Sequence, residues 1–142
     1  MVRASALIFL AMLAGCMPTP RATKDASTPV TTAPQLAADF QSNEIAAKAK
    51  YPGSVIIVGE VTSVTQDLTG PANVQLDGGG TPVGVGMWSS VPTWAASLRP
   101  GYRIAVLCNQ PKLMLGAVIA SGCVPQELPP QPKPAKHRHH RR

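Results

Sequence analysis

Charged residues make up only 14% of this chain and aromatic residues only 4%. All three histidines, His137, His139 and His140, sit at the carboxyl end. Without a histidine upstream, Ser-His and Cys-His nucleophile pairs are excluded there, and no catalytic centre is expected. No run reaches the roughly 20 apolar residues of a membrane-spanning helix. At 142 residues the chain has room for one domain and not for two full cores. Proline (15) and glycine (12) are plentiful, as in a small apolar domain flanked by irregular segments. No cofactor and no metal are expected.

The amino terminus reads MVRASALIFLAMLAGC, one cation at Arg3 followed by an apolar run from Ala4 to Ala14. That is the charged and short apolar pattern of a secretory signal. Leu13-Ala14-Gly15-Cys16 resembles the lipobox of bacterial lipoproteins. The resemblance implies cleavage of residues 1–15, a diacylglyceryl thioether on the Cys16 sulfur and acylation of the new amine, palmitate being a typical chain. More than one acyl chain makes membrane anchoring stable. Met17, standing where an aspartate would favour retention at the inner membrane, points to the periplasmic side of an outer membrane in a Gram-negative cell envelope.

Past the signal, seven cations balance seven anions, apart from Lys133, Lys136, Arg138, Arg141 and Arg142, which crowd the last ten residues. The basic excess is therefore a tail and not a stripe on a domain, and nucleic acid is not the expected partner. Residues 16–34, rich in Pro, Thr and Ala, read as a flexible tether. Its 18 residues after Cys16 could span at most ~60 Å. Residues 125–142 read as a disordered Pro-rich basic tail. Three roles compete for that tail: a solvated end, a weak His-based metal site, and a contact with an acidic envelope partner or anionic lipid surface.

Residues 35–124 carry the periodic signals. Leu36, Phe40, Ile45 and Ala46 predict one short helix with an apolar side, begun near Pro34 and ended by Tyr51-Pro52-Gly53. Ser54 to Thr65 is β-branched almost throughout, apolar on both faces before Gly59 and on one after it. A glycine there marks a bulge or tight bend. Val74 and Leu76 point one way in a second strand, and Asp77-Gly78-Gly79-Gly80 is a turn. Val83, Val85 and Met87 share one face of a third strand, with Gly84 and Gly86 on the other. Pro92 to Leu98 allows two helical turns. A fourth strand ends at Cys108, and a fifth runs from Leu113 to Ala120.

Five strands with a short helix between the third and fourth is the order of a five-stranded OB-type barrel, mainly β, here with an added amino-terminal helix. The long bent first strand suits closure of so small a barrel. A five-stranded open sheet or sandwich is the alternative. Asn43-Glu44 to Tyr51-Pro52-Gly53 leading into Val58-Gly59-Glu60-Val61, with Leu98, Gly101, Cys108 and Cys123 later, resembles the bacterial OB-fold family named for likeness to the tRNA anticodon-binding domain. The resemblance implies an OB fold in a secreted or lipid-anchored protein; the family's name records a fold likeness and not a shown tRNA activity.

With Cys16 lipidated, Cys108 and Cys123 remain as an even pair in an oxidising compartment, flanking the last hairpin. A disulfide is the expected state; two buried thiols or two metal ligands are the alternatives. Glu60, Asp67 and Asp77 read as strand-end and turn carboxylates, and Asp77-Gly-Gly-Gly80 lacks the Lys and Ser/Thr of a phosphate loop. Trp94 reads as a barrel plug. Trp88, Tyr102 and Arg103 are the candidate binding face. Two functions follow: a membrane-anchored, non-catalytic module that binds a ligand or a protein, and a structural subunit of an envelope assembly such as a secretion or conjugation apparatus.

Overall fold

Asn43 decides the helical part. In the computed structural model, which describes residues 21–129 except 26, 67–69 and 89–91, the expected single helix is two. The first, α1 (Ala33–Ser42), is capped by the Thr32 hydroxyl, which accepts the Gln35 N–H at 3.3 Å, and has Pro34 in its first turn. Asn43 is extended (φ −163, ψ 99); its N–H closes α1 on Asp39 O while its Oδ1 accepts the Ala46 N–H and starts α2 (Glu44–Lys50). The break resets the helical phase. Ala33, Leu36, Ala37 and Phe40 stay buried on α1, but Ile45, expected on the same apolar side, is 84% exposed.

The strands are β1 (Val30–Thr32), β2 (Val55–Gln66), β3 (Ala72–Leu76), β4 (Val83–Met87), β5 (Arg103–Cys108), β6 (Lys112–Met114) and β7 (Ala117–Gln126), with α3 (Pro92–Ser97) between β4 and β5. The strands β2-β3-β4-β7-β5 pair in that order and β5 returns to β2, so five strands close a barrel. β4 and β7 are parallel, and every other barrel pair is antiparallel. This is the expected OB-type closure, with α3 where the helix between strands three and four was expected.

Val74, Leu76, Val83, Val85 and Met87 point into the core as their alternation required. Phe40 and Tyr51 stack there, α3 adds Ala95 with Trp94 packed at the margin, and Leu98 follows just past its end. Each such large apolar side chain stabilises by roughly 1.5–3 kcal/mol when fully buried. The apolar two-faced half of β2 has a second cause on the outside: Ile56 and Val58 join Ala105, Leu107, Val124 and Ala22 in a smaller cluster, with Trp88 against it.

Three expectations are corrected. The bulge lies between Val61 and Ser63 and not at Gly59. Gly59 instead allows close approach, since a Cβ there would sit 2.9 Å from that of Ala33 and 3.1 Å from that of Leu76. The expected last strand is a hairpin, β6 and β7, turned by Leu115 (φ 50) and Gly116 (φ 80), and its second arm runs on through Cys123. The ordered fold also starts before residue 35: Val30–Thr32, expected in the tether, pairs in parallel with β2, because its backbone continues the sheet beside Ile56 to Val58.

Asp39 ties the helices to β1. Its carboxylate accepts from Gln35 Nε2 at 2.8 Å, Lys50 Nζ at 2.7 Å and the Tyr51 hydroxyl at 2.6 Å, and that hydroxyl also meets Thr31 Oγ1 at 3.2 Å. Burial pushes the Asp39 carboxyl up, and the hydrogen bonds from Lys50, Tyr51 and Gln35 outweigh it, so its pKa lies below the ordinary value. A lowered folded pKa adds stability that is complete above the ordinary carboxylate value and is lost as pH falls through the folded one. Asp39→Asn is therefore expected to cost about 1–2 kcal/mol at neutral pH, a deficit that shrinks as the wild type is acidified. Denaturant titrations across the acid range check it, and a deficit independent of pH contradicts it.

Candidate ligand groove

Outward positions on the barrel wall are fixed by the same alternation that fills the core. On β3 these are Asn73 and Gln75; on β4 they are Gly84, Gly86 and then Trp88; on β7 they are Ile119 and Ser121. The pairings Asn73↔Gly86, Gln75↔Gly84 and Gly84↔Ile119 set these residues side by side. Because Gly84 and Gly86 carry no side chain, the wall sinks between two ridges, and the result is a groove of about 650 Å³. Thr65 and Trp88 are among its lining residues.

The chemistry of this groove is narrow. Among the described residues every one that lines it is uncharged, and the polar side-chain groups they offer are chiefly amides and hydroxyls. Trp88 is half-buried, with its indole against the outer cluster of Ile56, Val58 and Leu107. Its backbone N–H donates to Cys123 O at 2.7 Å, which continues the β4–β7 pairing and fixes the ring's position at the edge of the groove.

Of the candidate face, only Trp88 lines the groove. Tyr102 is half-exposed in the turn before β5, where its carbonyl accepts the Val61 N–H. Arg103 lines a second groove, about 560 Å³, with Thr32, Gln35, Lys50 and Tyr51. Lys50 in that groove is already engaged by Asp39, an interaction that raises its pKa. The expected face is thus split in two. Asn73 and Gln75 were legible only as outward polar positions, and Ser121 fell just past the expected end of the last strand; the cross-strand register that assembles them has no signature in sequence.

Cys108 and Cys123 stand directly opposite each other across β5 and β7 and are joined by a disulfide, with Cα atoms 4.1 Å apart. Asp77 is a turn residue, its Oδ1 accepting the Gly79 N–H at 2.8 Å. Glu60 is exposed on β2 opposite Arg103. No group of three or more His, Cys, Asp or Glu side chains converges among the described residues. Asp67, Cys16 and the tail residues Lys133, Lys136, Arg138, Arg141 and Arg142 lie outside them.

No protein-family model and no curated protein sequence matches this chain. Among solved structures it is similar to a candidate nucleic acid-binding lipoprotein from Klebsiella pneumoniae subsp. pneumoniae, at 15% identity and a TM-score of 0.55 over 72% of this chain and 94% of that one. That likeness shows a shared OB-like fold. A replication protein A heterotrimer bound to ssDNA matches at 16% identity and a TM-score of 0.38, over 53% of this chain and 58% of that one, a level that carries no argument about fold or ligand.

Proposed function

We propose that this protein is a non-catalytic binding module, held in the cell envelope by lipid on Cys16 and belonging to the anticodon-binding-like OB family. Residues 1–15 act as its signal peptide, the outer membrane facing the periplasm is its location, and the wall groove is its ligand site. One observation carries the ligand reading: a groove with a glycine floor, amide and hydroxyl walls and a tryptophan at its edge, uncharged throughout its described lining. Such a surface suits an uncharged polar chain, with a ring stacked on Trp88 and hydroxyls paired to Asn73, Gln75 and Ser121. A nucleic acid, which the name of the Klebsiella protein suggests, needs cations along its phosphates, and the described lining of the groove offers none.

The test is a titration of the mature protein, followed by tryptophan fluorescence, with neutral peptidoglycan-derived oligosaccharides and separately with oligothymidylate. Binding of the oligosaccharide with little dependence on salt, lost at least about tenfold in Trp88→Ala, is the expected result. Tighter binding of oligothymidylate that weakens steeply with salt would replace this reading with nucleic-acid binding. Acyl chains on Cys16 add a discrete mass to the mature protein, and their absence overturns the anchor.

A further inference from the structure

The turn of the β6–β7 hairpin breaks two local rules together. Leu115 takes φ 50, a region in which Gly and Asn are favoured over a side chain with a crowded Cβ. That same side chain is 104% exposed, and Met114 beside it is 45% exposed. Helix α2 lies alongside β6 and carries the exposed Ile45. A lone exposed leucine needs no explanation. Three apolar side chains on neighbouring elements, one of them held in an unfavourable backbone conformation, do. Lys112, at the base of the hairpin, is exposed as well.

The path of the amino-terminal segment says which surface faces this tip. Ala22 is 3% exposed, and its N–H donates to Gly122 O at 3.1 Å. Asp25 closes a local turn with Ser27 and Thr28, and β1 then pairs with β2. Cys16 stands six residue steps before Ala22, so it lies at most ~20 Å from that point of the barrel. Gly122 and the hairpin turn belong to one strand and its end, roughly 20 Å apart at about 3.3 Å per residue. A lipid on Cys16 thus keeps the tip within reach of the bilayer that holds it.

We infer that Met114 and Leu115 insert into the interfacial region of that bilayer as a second, non-covalent membrane contact. The inference deepens the anchoring proposed above and rests on it for its location. An apolar tip with a lysine at its base matches an interface, where alkyl groups enter the acyl boundary and the ammonium stays among phosphates. Two contacts orient the barrel, where one lipid anchor would let it swing.

Leu115→Cys gives one free thiol for an environment-sensitive fluorophore, since Cys108 and Cys123 are bonded to each other and Cys16 is acylated in the proposed form. In full mature protein reconstituted into phosphatidylethanolamine–phosphatidylglycerol vesicles, that label is expected to shift blue and to be quenched by spin-labelled lipids. The same label at Tyr102→Cys, past the Gln126 end of β7, is expected to stay water-like. A water-like label at position 115 in protein whose mass shows the acyl chains overturns the insertion and leaves the anchor standing. A blue shift without vesicles means self-association or a protein partner and also overturns it. If the acyl mass is absent but the chain co-sediments with vesicles, and Leu115→Asp weakens that by about tenfold, the tip contact holds and the anchor falls. Absence of both acyl mass and co-sedimentation overturns both.

Discussion

Reduction of the Cys108–Cys123 disulfide is expected to lower the melting temperature of the barrel by about 15 °C. The bond closes a sequence separation of 15 residues, worth about 3 kcal/mol in the chain-entropy model, and each kcal/mol moves Tm by about 4–8 °C in a domain of this size. Its place in the barrel argues for full expression of that figure. Cys108 ends β5 and Cys123 sits inside β7, at the position where β7 also faces Met87 of β4. The bond therefore fastens the strand that joins the meander β2-β3-β4 to the returning β5. Both cysteines are wholly buried, so the reduced protein keeps two thiols inside its core and regains the unfolded chain's freedom. Calorimetry with and without reductant, beside a Cys108→Ala/Cys123→Ala double variant, measures the effect. The double variant should match the reduced wild type to within its cavity cost, and an unchanged Tm on verified reduction would refute the argument.

The inward half of this barrel was legible in the sequence because burial on one face of a strand leaves a period of two. Val74 with Leu76, and Val83, Val85 with Met87, needed no further information. The cysteine pair was legible because the expected oxidising compartment, with Cys16 set aside for lipid, left one partner for each thiol. Other features depend on contacts that no local pattern encodes. The turn at Leu115 was hidden because its first residue is a leucine, where a hairpin ordinarily announces itself with Asn or Gly. Without that signal, Leu113 to Ala120 reads as one apolar strand. The break at Asn43 was present in the letters, since Asn followed by Glu is a helix start, but the alanines around it suit either one helix or two. β1 escaped because three residues of a Thr- and Pro-rich segment become a strand only when β2 supplies the pairing edge. Trp88 was reachable from its place at a strand end. Tyr102 and Arg103 were not separable from it, because the side of the barrel on which β5 begins is a property of closure.

Gly86→Val is expected to abolish ligand binding, by about a hundredfold or more, while leaving the fold intact or slightly more stable. The two halves of that expectation have different causes. A Cβ at Gly86 would lie 3.5 Å from Asn73 Oδ1 and 3.6 Å from Ala120 O, ordinary contacts, so the substitution meets no clash at its root. A β-branched residue in a strand interior also gains up to roughly 1 kcal/mol over glycine, whose unfolded chain is the more flexible. Gly59 offers no such tolerance, being wedged between Ala33 and Leu76. At Gly86 the two added methyl groups have one direction in which to extend, outward into the groove beside Trp88. They occupy the floor on which a ligand ring would lie and separate it from Asn73 and Ser121, so stacking and hydrogen bonding are lost together. A loss of about 2.7 kcal/mol is a hundredfold in affinity, within reach when both kinds of contact fail at once. Oligosaccharide titration of the variant, with Tm measured on the same sample, reads the two halves separately. An unaltered Kd in a folded Gly86→Val protein would show that ligand binds elsewhere, and the second groove, lined by Arg103 and Lys50, would be the next to test.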